Sequence, residues 1–144
     1  MLVDFYHLTA SPLERVLPSI CEKLLAGGQR VLIVADEALL DPLDAQLWTS
    51  WADSFLPHGR AGAPAPEAQP ILLSSSVEAL NGARNVALAD GRWRDEALGF
   101  DRVFYFFGAE TLDGSRAAWR ALKERPETDL RYWKQQAGKW VEGP

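Results

Sequence analysis

The sequence predicts an α/β protein: a three-layer α/β/α sandwich on a mostly parallel, mixed sheet with an antiparallel end. Three observations predict it. Residues 30–35, RVLIVA, are a short continuous apolar run, as expected of a strand covered on both faces. Residues 102–107, RVFYFF, give the strongest strand pattern in the chain. Helical spacing lies between such runs, and alternating strands and helices stack helices on a parallel sheet.

The elements follow in order. Residues 2–6 are apolar and aromatic, consistent with a buried first strand. Ser11-Pro12-Leu13-Glu14 reads as a capping box with proline at the first helical position. Leu13, Val16, Leu17, Ile20 and Leu24 keep helical spacing, and Pro18 inside it predicts a kink or a late start. Gly27-Gly28 stops the helix. Strand, helix and the 30–35 strand make a βαβ unit with an expected right-handed crossover.

The next helix is predicted to start at Asp41, with Pro42 at its first position and Leu43 and Leu47 facing in. Trp48 and Trp51 lie three apart on a neighbouring face, and Ser54-Phe55-Leu56-Pro57-His58-Gly59 turns away. The stretch thus carries more large apolar surface than its own packing needs, which suits a partner surface; an ordinary aromatic core is the alternative.

Residues 59–70, rich in Pro, Ala and Gly, read as a surface loop. A strand starts in Gln69-Pro70-Ile71-Leu72-Leu73, Asn81-Gly82 is a turn, and residues 85–88 are a weak strand. Residues 90–99 form a loop or helical turn held by Trp93 and Leu98. Residues 113–124 are the last helix, with Ala118 and Leu122 inward and Pro126 marking the end. Residues 130–135 and 139–141 flank a tight turn as a terminal hairpin or two edge strands.

At 144 residues, one domain over 1–144 is expected, without internal repeats. The net charge of −5 argues against the chain as a whole gripping a phosphate backbone, though a local basic patch remains open. One cysteine, Cys21, rules out an internal disulfide and a thiolate zinc cage, and reads as a buried small hydrophobe. The N-terminus lacks a signal-peptide pattern and no apolar run approaches a membrane span, so a soluble, cytoplasmic protein is expected. Six tryptophans in 144 residues tilt the composition towards recognition.

The first loop, His7-Leu8-Thr9-Ala10-Ser11-Pro12, has no glycine, so a pyrophosphate could not approach its backbone closely. No GxxxxGK[ST] motif exists, and neither His7 nor His58 has metal-ligand spacing. Ser74-Ser75-Ser76 lacks a nucleophile elbow. The arrangement is therefore Rossmann-like without a nucleotide site, and no cofactor or metal is expected. The competing readings are a small Rossmann-like enzyme or nucleotide-binding protein using His58, with Asp44 nearby, and a direct nucleic-acid binder using the last helix.

That helix carries the clearest recognition chemistry. Arg116, Trp119, Arg120 and Lys123 follow i, i+3, i+4, i+7 spacing and share one face. One indole among three cations suits an acidic peptide with an apolar end, because arginine takes a carboxylate bidentately and the ring offers packing. Phe106 and Phe107, at the end of the preceding strand, are candidates to wall a pocket. A solvated basic face is the plainer reading.

Together these segments resemble the chi subunit of bacterial DNA polymerase III holoenzyme. The resemblance is carried by Asp4-Phe5-Tyr6-His7-Leu8, Gly28-Gln29-Arg30-Val31-Leu32, Leu43-Asp44-Ala45-Gln46-Leu47-Trp48 and Ser54-Phe55-Leu56-Pro57-His58. Gln69-Pro70-Ile71-Leu72-Leu73, Arg102-Val103-Phe104, Ser115-Arg116-Ala117-Ala118-Trp119-Arg120, Tyr132-Trp133 and Gly138-Lys139-Trp140 follow in the same order. It implies a non-catalytic clamp-loader accessory protein. Such a protein binds the acidic, phenylalanine-ended C-terminal tail of single-stranded-DNA-binding protein, and a psi subunit that tethers it to the clamp loader. The family's tail site falls on Arg116, Trp119 and Arg120; Lys123 and Phe107 complete it by the reading above. Its second surface, for psi and a helicase partner, falls on Trp48 and Phe55, with Trp51 adjoining. Where the family can carry a lysine one turn before the arginine, this chain has Leu112, which implies a tail pocket with fewer cations.

Overall fold

The computed structural model describes residues 1–9, 12–49, 58–136 and 139–143, apart from the side chains of Glu14, Gln46, Trp48 and Thr49. Eight strands form one sheet: β1 (Leu2–His7), β2 (Val31–Val34), β3 (His58–Arg60), β4 (Ile71–Ser74), β5 (Asn85–Leu88), β6 (Arg102–Phe107), β7 (Asp129–Gln136) and β8 (Lys139–Glu142). Their spatial order is β3-β4-β2-β5-β6-β1-β7-β8. Every pairing is parallel except β7 with β8, so the predicted antiparallel end is a hairpin.

Helices α1 (Leu13–Ala26) and α2 (Glu37–Thr49) cover one face, packing Leu17, Cys21, Leu40, Leu43 and Leu47 on Tyr6, Ile33, Leu73, Phe104 and Phe106. Helix α3 (Leu112–Lys123) and the segment around Trp93 and Leu98 cover the other, where Ala118 and Leu122 meet Val3, Phe5, Tyr105 and Phe107. The two apolar sets come from alternate positions of the same strands, so the central strands need both faces apolar. Burial pushes the Cys21 thiol up to about 12, which keeps it a neutral, packed group.

Four local expectations are revised. Helix α1 begins at Leu13 and continues through Pro18, because the buried stripe Val16, Leu17, Cys21 and Leu24 holds it; Ser11 of the predicted capping box lies outside the described residues. Helix α2 starts at Glu37, a turn before Asp41, so Pro42 is internal; Leu40, Leu43 and Leu47 are all buried, and that longer inward face sets the start. The loop expected over 59–70 gives its first residues to β3, which adds to the edge of β4. Strands β1 and β2 are not neighbours: β5 and β6 lie between them.

One polar cluster is buried within the α1 side of the sheet. The Asp4 carboxylate, 0% exposed, accepts from Arg102 Nε at 2.9 Å, Arg131 Nε at 2.7 Å and Trp133 Nε1 at 3.0 Å. The guanidiniums of Arg102 and Arg131 also lie over the rings of Phe104 and Trp133. Burial pushes the Asp4 carboxyl up, but the hydrogen bonds from Arg131, Trp133 and Arg102 outweigh it and hold the carboxyl below its usual range.

Candidate functional site

Helix α3 enters from the carboxyl end of β6 through a short 3-10 turn, Ala109–Thr111. Its inward stripe is Ser115, Ala118 and Leu122, all buried. That docking leaves Arg116, Arg120 and Lys123 exposed and Trp119 half-buried at the margin of the sheet. Ser115 turns its hydroxyl back to donate to the Leu112 carbonyl at 2.7 Å, so its polar atom is satisfied within the helix.

Beside α3 lies a cleft of about 340 Å³, lined by Phe5, His7, Leu112, Ser115, Arg116, Trp119, Arg120, Lys123 and Tyr132. All four helix residues singled out in the sequence line it. The Trp119 indole meets Phe5 edge-on, with ring centroids 5.0 Å apart, and Tyr132 at 6.1 Å. Lys123 Nζ sits 5.7 Å from the centre of the Trp119 ring. The base is thus aromatic and the rim cationic. No described Asp or Glu lines the cleft, and Arg116, Arg120 and Lys123 make no salt bridge among the described residues.

Phe107 is placed differently from expectation. It is 2% exposed and stacks beneath His7, with centroids 4.9 Å apart, so it supports the wall instead of forming it. Its position at the end of a central strand buries it between β1 and α3. The residues that replace it, Phe5, His7 and Tyr132, come from β1 and β7. The register pairs Phe5 with Tyr132, and His7 Nδ1 lies 2.9 Å from the Tyr132 hydroxyl. The sequence placed Phe5 in the first strand but His7 in the loop after it; β1 extends to His7, and its parallel pairing with a strand over 120 residues later, which no local pattern shows, brings His7 beside Tyr132.

Burial, and then the positive charge of Arg116, lower the affinity of His7 for a proton. Burial raises the Tyr132 phenol against an opposing effect of the same arginine. Arg116 thus projects its field onto the aromatic base of the cleft. Leu112, where a further cation was the alternative, adds apolar surface at one end.

Helix α2 and the edge strand β3 lie apart from this cleft. Trp48 belongs to α2, while its side chain, and Trp51 and Phe55 entirely, lie outside the described residues. His58 and Asp44 do come together: Nε2 lies 2.7 Å from Oδ1, with the His58 side chain only 1% exposed. A ring so enclosed ties α2 to the edge strand β3 and offers substrate little access. Among the described residues no group of His, Cys, Asp and Glu is placed to hold a metal ion, and no helix is long and apolar enough to cross a membrane.

The family model for the DNA polymerase III chi subunit, HolC, matches residues 1–128. The chain belongs to the chi-subunit family of DNA polymerase III. This membership makes it an accessory subunit of the replicative polymerase. Among curated proteins no relative matches the sequence. The chi-family match takes in β1 and all of α3 but stops before β7, which supplies Tyr132 to the cleft.

Proposed function

We propose that this chi-family chain captures the acidic, phenylalanine-ended C-terminal tail of single-stranded-DNA-binding protein and links it to the polymerase holoenzyme through a psi-type partner. The observation that carries the reading is an aromatic-based cleft whose rim holds three cations and no described carboxylate. Arg116, which lines the cleft together with His7 and Tyr132, takes the terminal carboxylate. Trp119, Phe5 and Tyr132 pack the terminal aromatic ring. Arg120 and Lys123 attract the acidic residues before it. The chain carries no catalytic step in this account; it is an adaptor between coated single strands and the replication machinery.

The second partner surface is Trp48, with Trp51 and Phe55, assigned by the family resemblance and by the apolar excess of residues 41–59. Calorimetry with an acidic peptide ending in Phe tests the first surface. Arg116→Ala is expected to abolish measurable binding with the fold intact, and unchanged affinity removes the assignment. Trp48→Ala is expected to keep peptide binding and to lose a psi-type protein from a native-lysate pulldown; loss of both activities together denies that the surfaces are separate.

A further inference from the structure

The face of the sheet that α3 covers does not end at the cleft. On β7, Leu130 and Tyr132 pack on the α3 side, whereas Trp133 packs on the α1 side. Strand alternation therefore puts Lys134 and Gln136 on the α3 side with Tyr132. The hairpin register pairs Lys134 with Val141, Gln135 with Trp140 and Gln136 with Lys139. Residues directly opposite in an antiparallel pair share a face. Val141 and Lys139 thus also stand on the α3 side, while Trp140 packs against Tyr6 on the other. Glu142, opposite Trp133, belongs to the α1 side and leaves the α3 side of the hairpin without a β8 carboxylate.

This shelf continues the cleft. Lys134 is in register with His7, which lines the cleft. Val141 is 37% exposed, a large apolar side chain left open to solvent. Lys139 is exposed, and neither lysine forms a salt bridge among the described residues. Five of the chain's 15 Lys and Arg residues therefore border one continuous surface in a protein of net charge −5.

We infer that the β7–β8 hairpin is the second half of the peptide site: the acidic residues nearest the captured aromatic meet Arg120 and Lys123 on the helix rim, and those further from it leave the cleft across the α3 side of β7 and β8, where Lys134 and Lys139 meet them. The inference rests on the peptide-capture reading and adds a direction and a length to it. Neighbouring strands stand about 4.8 Å apart, so β8 lies roughly 10 Å beyond β1. An extended peptide covers about 3.3 Å per residue, so about three residues separate the captured end from the outer strand. A peptide of about two residues stays within the cleft, and one of about five or more reaches the hairpin as well.

The test compares N-acetyl-Asp-Phe with an N-acetylated peptide of six aspartates and a terminal Phe, by competition fluorescence at low salt. Lys134→Gln with Lys139→Gln is expected to weaken the long peptide roughly fivefold to tenfold and leave the short one unchanged. Arg116→Ala is expected to lose both peptides. Arg15→Gln with Lys23→Gln, on α1 across the sheet, controls for net charge and is expected to change neither, whereas Lys134→Arg with Lys139→Arg retains the long peptide. The inference is overturned if the hairpin pair binds the long peptide as the unaltered protein does, or weakens it no more than the α1 pair. If the unaltered protein binds neither peptide, capture itself fails; if it binds both and the hairpin variants do not discriminate, only the hairpin's part is lost.

Discussion

Arg102 and Arg131 on one face of the sheet, and Arg116, Arg120 and Lys123 on the other, are similar residues in opposite electrostatic situations. The first pair is committed to a buried carboxylate: Asp4 accepts from both arginines and from Trp133. The second set borders a cleft with no described carboxylate. The first group holds three strands, β1, β6 and β7, to one another. The second group has its charge available for something else. A basic residue is informative about binding only after its internal partners are counted, and here that count separates a brace from a docking site.

The largest effect expected from breaking this contrast is on the brace. Asp4→Ala leaves two half-buried guanidiniums over an apolar layer and is expected to cost about 3 kcal/mol in urea unfolding. A loss under about 1 kcal/mol would make the cluster no more than a surface ion pair. Arg116→Ala should show the reverse profile: peptide binding falls below the measurable range, a loss of at least about 30-fold or roughly 2 kcal/mol, while the unfolding midpoint stays put. A variant that loses both would erase the distinction between the two regions.

Acid sharpens the comparison. The folded-state value for Asp4 is lowered, so its contribution is complete above the unfolded carboxylate value of about 3.9 and fades as pH falls through the folded value. The stability gap between the unaltered protein and Asp4→Asn should therefore be constant from pH 7 to about 5 and close in stronger acid. A gap that widens with acid would mean the carboxyl is not held ionised by its partners. Salt has the smallest expected effect. Raising ionic strength from about 50 to 300 mM should weaken peptide capture severalfold and leave the Asp4 brace nearly unchanged, because exposed charges are screened over roughly 8–10 Å and buried pairs much less.

Much of this was legible in the linear chain. Continuous apolar runs placed the central strands, because both faces of those strands are buried, and period-3.6 patterns placed the inward stripes of α1 and α3, because one face of each helix is buried. The i, i+3, i+4, i+7 spacing put Arg116, Trp119, Arg120 and Lys123 together because helix geometry is local. Helix α2 was legible in type but not in start. Pro42 looked like a beginning only until the burial of Leu40 with Leu43 and Leu47 was known.

The sequence by itself determined an α/β layering, the inward face of the last helix and the cationic face opposite it, because these depend on neighbours a few residues away. Tertiary structure decided which strand lies beside which. That choice carried Tyr132 next to Phe5 and His7, sank Phe107 beneath the cleft, and gave Arg102 and Arg131 a carboxylate that Arg116 does not have. No local pattern records such pairings, because in a parallel sheet the partner strand comes from a distant part of the chain and register alone selects which side chains meet.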